Sequence, residues 1–225
     1  MKSQLSDIAG VETLQVLGRD PSVGVIFLHG YGANMHDLFP LWELWHAEKF
    51  NWYFPNGLLP LPMGYYGGRA WFSIDMVELE RSIREGTQRN MRGSIPVEFD
   101  TTINQLENLL IELSKKHKTI ILGGFSQGAM CASHLAMKDS LNIDGLILLS
   151  GALLAEERMP KASKPIPFYQ SHGRGDQILS LDGAKDLEAK LQSLNFTGNL
   201  KVFEGGHEIP NMVVEDVKKF LAQFS

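Results

Sequence analysis

The stretch Leu122-Gly123-Gly124-Phe125-Ser126-Gln127-Gly128-Ala129 constrains this chain more than any other. It follows the apolar run Thr119-Ile120-Ile121-Leu122 and precedes a helix-like run from Ala129 to Met137. That order predicts a strand, a sharp turn at a serine, and then a helix, the context that lifts a serine hydroxyl above a sheet. Gly124 and Gly128 stand two residues either side of Ser126, where a β-carbon would press on neighbouring backbone in so tight a turn. In a chain with 22 glycines the string alone is weak evidence, and the rest of the sequence must supply its meaning.

The surrounding chain alternates strand-like and helix-like segments. Thr13 to Leu17 reads as a short edge strand, and Val23 to Leu28 as a strand buried on both faces. Asn51 to Phe54, Ile143 to Leu149, Pro165 to Gln170 and Asn199 to Phe203 are further strands. Helices are predicted over Asp37 to Glu48 (weakly), Glu78 to Asn90, Pro96 to Lys116, Leu181 to Leu194 and Ile209 to Phe224. In the third of these Ile103, Leu106, Leu109, Leu110 and Leu113 recur at helical spacing, and Pro96 suits its first turn. The alternation predicts an α/β fold, with a mostly parallel central sheet and helices on both faces. At 225 residues, without repeats or linkers, the chain is expected to be one domain, 1–225.

Composition narrows the function classes. A net charge of −5 and the lack of any Lys/Arg block argue against a nucleic-acid partner. The single cysteine, Cys131, rules out an internal disulfide and fits a reducing compartment. The opening residues Met1 to Asp7 carry no apolar signal core, and no run approaches the roughly 18 apolar residues of a membrane span. The expectation is a cytoplasmic protein with no transmembrane segment.

In parallel sheets, ligands bind beyond the carboxyl ends of the strands. Four predicted strands end in loops bearing reactive residues: His29-Gly30-Tyr31, Ser126, Asp176 and His207. A serine hydroxyl is barely nucleophilic at neutral pH and needs a base, which a histidine supplies and a carboxylate orients. Ser126, His207 and Asp176 are therefore the candidate nucleophile, base and acid. The backbone amides of Gln127 and Tyr31 are the candidate donors to an oxyanion. His29 is expected to orient its loop, His172 and His134 to be structural, and His36, His46 and His117 to lie at the surface. Asp144 falls at the wrong end of its strand, and Cys131 reads as a packing residue. No histidine has metal-ligand spacing, so neither metal nor cofactor is expected.

Leu58 to Ser73 is the least regular stretch, rich in Pro and Gly yet also in large apolar groups. It reads either as a loop pinned to the core or as the wall of an apolar pocket. Leu58, Leu59, Trp71 and Phe72 are the candidate substrate contacts. Exposed apolar groups from Leu58 to Tyr66 could also face a membrane or a second subunit, which leaves a homodimer open.

Together these pieces resemble a known family, the acyl-protein thioesterase/carboxylesterase (phospholipase/carboxylesterase) group of α/β-hydrolases. The resemblance lies in Phe27-Leu28-His29-Gly30-Tyr31-Gly32, Ala70-Trp71-Phe72-Ser73, Leu122 to Gly128, Ser171-His172-Gly173-x-x-Asp176 and Glu204-Gly205-Gly206-His207-Glu208. It implies an α/β-hydrolase fold without a large cap domain. It also implies a serine esterase or thioesterase using Ser126, Asp176 and His207, with Tyr31 and Gln127 as oxyanion donors and the Trp71 region near the acyl site. Ala129 stands where the family commonly has a second glycine, and the proline often found just after the aspartate is missing. The substrate expected is an acyl ester or thioester, small or lipid-like. An esterase for small soluble esters, a peptidase and a catalytically silent binding protein are the alternatives.

Overall fold

The structure is a computed structural model, and it describes residues 3–45, 48–62, 67–87, 91–161 and 163–224. Ten strands run β1 (Ser3–Ile8), β2 (Val11–Val16), β3 (Val23–Leu28), β4 (Asn51–Pro55), β5 (Leu59–Pro60), β6 (Arg69–Ala70), β7 (Thr119–Phe125), β8 (Gly145–Leu149), β9 (Phe168–Gly173) and β10 (Leu200–Phe203) among the described residues. The helices are α1 (Leu41–Leu44), α2 (Met76–Glu85), α3 (Phe99–Ser114), α4 (Gln127–Ala136), α5 (Leu181–Ser193) and α6 (Asn211–Leu221). The central sheet has the order β1-β2-β4-β3-β7-β8-β9-β10, while β5 and β6 pair separately. β1, β2 and β4 pair antiparallel and every pairing from β4 to β10 is parallel. This is an α/β-hydrolase architecture, and among the described residues no segment forms a large cap.

Strand periodicity sorts the apolar residues into two cores. Ile26, Leu28, Ile120, Leu122, Leu146 and Leu148 face one side, against α3, α4 and α5. Val25, Phe27, Ile121, Ile147 and Leu149 face the other, against α1 and α6. β3 is buried along its whole length, as a strand covered on both faces must be. The five apolar residues expected along α3 are all buried, so its spacing does set its orientation.

Several boundaries differ from the sequence expectation, for identifiable reasons. The edge strand is β1, and Thr13 to Leu17 corresponds instead to β2, one strand in. β1 is mostly exposed and carries no apolar alternation to reveal it. Its hairpin turns at Ala9 and Gly10, both at positive φ, with Asp7 accepting from the Gly10 amide. α1 is a single turn; His46 and Ala47 in the expected helix lie outside the described residues. α3 starts at Phe99, with the Pro96 carbonyl accepting the Phe99 amide just ahead of it. β9 extends to Gly173, so His172 sits in a buried strand.

His117 is buried rather than at the surface. Its ring bridges the Tyr53 hydroxyl at 2.8 Å and the Pro21 carbonyl at 2.7 Å. Tyr53, buried by the same packing, has its hydroxyl pKa pushed up to about 12.

The strand order reverses at β3: β4 is laid down on one side of it and, later, β7 on the other, both parallel to it. A crevice opens beyond the carboxyl ends of strands at such a switch point. The loop after β3 carries His29, Gly30 and Tyr31, and the turn after β7 carries Ser126.

Candidate active site

A single residue separates β7 from α4, and that residue is Ser126. Its backbone is at φ 56° and ψ −118°, a left-handed setting that β-carbon sterics normally disfavour. The setting is held from both sides: the Ser126 amide donates to Leu149 O at 2.8 Å, and its carbonyl accepts from Met130 at 3.2 Å. The flanking glycines are required by contact. A β-carbon on Gly124 would lie 2.3 Å from the Gly128 carbonyl carbon, and one on Gly128 would lie 2.2 Å from Leu28 O. The elbow, the helix after it and the end of β3 are therefore packed backbone to backbone.

Ser126 Oγ lies 2.8 Å from His207 Nε2, and His207 Nδ1 lies 2.6 Å from Asp176 Oδ2. An ionised carboxylate can only accept, so Nδ1 carries the proton and Nε2 is free to accept from the serine hydroxyl. Asp176 is completely buried. Burial would raise its carboxyl, but hydrogen bonds from His207 and the Leu179 and Ile178 amides outweigh it and hold the group below the usual carboxylate range. The two amides donate to Oδ1 at 2.8 Å from Ile178 and 3.0 Å from Leu179. This tight turn, built without the proline, aims Oδ2 at the histidine. His172 Nε2 donates to Leu179 O at 3.0 Å and sits 3.4 Å from Asp176 Oδ2, so it braces the same turn from inside the sheet. Phe125 packs its ring 4.9 Å from that of His207.

The loop after β3 is fixed by His29. Burial pushes its pKa down to about 4, against an opposing pull from the Gly30 carbonyl, so the ring is neutral at pH 7. Nδ1 lies 2.8 Å from Gly30 O, and Nε2 accepts the Gly57 amide at 2.8 Å. The tautomer follows: the proton is on Nδ1. The same loop pairs with β6 through Gly32 N to Arg69 O at 2.9 Å and Arg69 N to Ala33 O at 2.7 Å. Tyr31 faces the cleft beside Ser126 and Gln127.

One contribution escaped the sequence reading. The Gln127 side chain accepts the Trp71 amide at 2.8 Å and donates to Phe72 O at 2.7 Å. The residue whose backbone begins α4 thus also grips the irregular stretch before α2. Trp71 is fully buried and donates through its indole to His29 O at 2.7 Å. It is not a pocket-lining residue, because its ring is consumed in pinning the loop. Phe72 does line the cleft. Leu58 packs against the core and Leu59 lies in β5, and neither lines it. Met63 to Tyr66 of the same stretch lie outside the described residues.

The cleft has a volume of about 40 Å³, and Ile74, Met91, Met130, Ile178 and Leu179 complete its apolar lining. Three of these had a usable signal. Met130 stands one helical turn beyond Ser126, and Ile178 and Leu179 lie two and three residues after the acid. Ile74 and Met91 arrive from the 73–98 region, which no local pattern ties to the elbow.

The remaining candidates fall elsewhere. His134 is buried with Nε2 2.7 Å from Leu154 O, and His36 is exposed. Asp144 accepts the Ile120 amide at 2.9 Å, at the opposite end of the sheet. Cys131 is buried, which pushes its thiol pKa far up. Among the described residues no group of three or more His, Cys, Asp or Glu could hold a metal ion, and no helix is long and apolar enough to cross a membrane.

Comparison with known proteins gives the family and agrees with the fold. The family profile described as Phospholipase/Carboxylesterase matches residues 15–225. The chain is 29% identical over 222 residues to acyl-protein thioesterase 1 of Candida albicans, covering 91% of this chain and 93% of that protein. Among solved structures, esterase PE8 is similar with a TM-score of 0.76 at 22% identity, covering 100% of both chains. The Bacillus cereus carboxylesterase is similar with a TM-score of 0.74 at 23% identity, covering 95% of this chain and 94% of that one.

Proposed function

The chain belongs to the phospholipase/carboxylesterase family, and from that premise we propose that it is a serine hydrolase of carboxylic esters or thioesters. The observation that carries the reading is the continuous relay from Ser126 through His207 to a buried, ionised Asp176, at 2.8 and 2.6 Å. His207 takes the hydroxyl proton as Ser126 Oγ bonds to the substrate carbonyl carbon. The amides of Tyr31 and Gln127 hold the resulting oxyanion, each such donor contributing about 2.7–4 kcal/mol to lowering the barrier. As the bond to the leaving oxygen or sulfur breaks, His207 returns the proton to the leaving group. Water then attacks the acyl-serine with His207 as base, releasing the acid and restoring the hydroxyl.

Ser126 is pinned between β7 and α4 and the Asp176 carboxylate is held by the Ile178 and Leu179 amides, so little reorganisation is needed between steps. The relay uses no cofactor, and residues 1–225 act as one domain. A single buried cysteine supports a cytoplasmic setting.

The test is ester hydrolysis by the wild type and by Ser126→Ala. Triad enzymes lose about a millionfold in kcat when the nucleophile is removed. A fall of that order is expected here. Near-normal turnover by Ser126→Ala would move the chemistry elsewhere.

A further inference from the structure

The central sheet ends at two edges, and they are guarded differently. At one end stands β10, four residues long, with Lys201 exposed on it. A short strand carrying a lysine is a usual defence against pairing with another chain. At the other end stands β1, six residues long, Ser3-Gln4-Leu5-Ser6-Asp7-Ile8. It has no lysine, no proline and no bulge, since its register with β2 is continuous from Ser3 against Val16 to Ile8 against Val11. Among the described residues no strand pairs with its outer side, where an open hollow is lined by Leu5, Ser6, Asp7 and Glu12.

The edge is also held ready. Ile8 is buried in the core, and the Gln105 side chain donates to the Ala9 carbonyl, tying the hairpin tip to α3. The two-residue turn at Ala9 and Gly10 decides which backbone groups face out. In such a hairpin the flanking pair, Ile8 and Val11, exchanges both hydrogen bonds, and bonded and non-bonded pairs then alternate. Gln4, Ser6 and Ile8 therefore turn their amides and carbonyls toward β2, and Ser3, Leu5 and Asp7 turn theirs outward. The Glu12 carbonyl, opposite Asp7, agrees: it accepts the Asn56 amide at 2.8 Å from the β4 side.

These outward groups are self-complementary. Two copies of β1 placed antiparallel about a two-fold axis through Leu5 oppose Leu5 to Leu5 and each Ser3 to an Asp7. Every outward amide and carbonyl of Ser3, Leu5 and Asp7 then has a partner, which no other register of the two strands achieves. Leu5, 58% exposed, lies on the same face as Leu14, and across the axis its side chain meets its own copy. The one charge of the strand, Asp7, falls opposite a serine. The two aspartates stand about 13 Å apart along the strands, beyond the screening length of about 8 Å in physiological salt.

We propose that β1 is a dimerisation edge whose partner is β1 of a second copy of this chain, in the register that opposes Leu5 to Leu5. The two central sheets join into one. Ser126 follows β7, the fifth strand in from this edge, so the pairing leaves its crevice open.

Sedimentation velocity from about 1 to about 200 µM chain reads the dimer fraction, with circular dichroism to check the fold. The wild type is expected to pass from monomer to dimer across that range. Leu5→Lys, which opposes two ammonium groups across the axis, should raise the dimer dissociation constant by at least about tenfold. Leu5→Pro removes an amide that faces away from β2 and should act in the same direction. Leu5→Cys tests the register. Opposed Cα atoms in a hydrogen-bonded pair stand about 5.5 Å apart, within disulfide reach, so mild oxidation should link two copies. Leu17→Cys, exposed just beyond β2, should not link, and the native Cys131 is buried. A wild type that stays monomeric at the highest concentration leaves the edge to another strand or to water and overturns the proposal. A dimer that persists in both Leu5→Lys and Leu5→Pro lies on another surface and overturns it as well. Dimers lost in those variants, with Leu5→Cys unlinked, overturn the register.

Discussion

The reaction centre and the wall of the cleft beside it are built by different physics. At the centre, backbone sets the geometry. Gly124 and Gly128 allow β7, α4 and the end of β3 to touch, Ser126 is locked at positive φ, and the carboxylate is aimed by two amides one turn away. The wall is set by side chains reaching across long sequence separations: Gln127 to Trp71 and Phe72, Trp71 to His29, Thr102 to Trp71. Backbone constraints leave short, spaced signatures in a sequence, and side-chain constraints of this kind do not. The contrast predicts that damage to the centre abolishes turnover, whereas damage to the wall redistributes it among substrates.

The largest effect within this comparison is expected at Asp176. Asp176→Asn preserves the shape but offers His207 an amide in place of a carboxylate, which favours the wrong tautomer. A fall of about 10⁴ in kcat is expected at neutral pH, measured with the protein shown folded by circular dichroism. An unchanged rate would place the orienting acid elsewhere.

Removing the polar end of Gln127 probes the joint between the two regions. Gln127→Leu keeps the backbone amide but strips the Trp71 amide of its partner, a buried loss of about 1–3 kcal/mol. Stability should fall by that amount in urea unfolding. If the wall is separable from the centre, acetate hydrolysis should fall less than butyrate hydrolysis. A loss equal for both esters would show that the clamp serves the oxyanion amide more than the wall.

How much of this was legible in the chain follows the same division. Gly124, Ser126, Gly128, Asp176 and His207 stand at strand ends in an order the sequence displays, because each strand announces itself by its apolar run. The substrate contacts were harder. Trp71 carries an obvious apolar bulk, yet its indole N–H had a partner in His29 O and its ring went inward. Ile74 and Met91 line the cleft from either side of the predicted helix Glu78 to Asn90, and no local pattern ties either to the elbow. β1 was hidden for the related reason that an edge strand with an exposed face has no apolar rhythm to read.

The smallest effect at neutral pH is expected at His29, which belongs to both regions. Its pKa is depressed to about 4 in the folded state, against about 6.5 when unfolded. Between those values the unfolded chain binds a proton that the native ring refuses, so stability declines as pH falls from about 6.5 to about 4. One such group gives a slope of about 1.4 kcal/mol per pH unit. His29→Gln, whose amide oxygen can still accept the Gly57 N–H, should flatten the acid unfolding profile by that slope while changing stability at pH 7 little. A profile unchanged by the substitution would mean that His29 is not buried and neutral as described.

The central claim is that Ser126 carries the acyl group covalently between two half-reactions. Rapid acid quenching during turnover of p-nitrophenyl butyrate, followed by peptide mass mapping, measures this directly. The account predicts a butyryl adduct on Ser126 that accumulates in the first turnover and disappears when substrate is exhausted. Turnover accompanied by an adduct on another residue, or by none under conditions where p-nitrophenol is released in a burst, would contradict it.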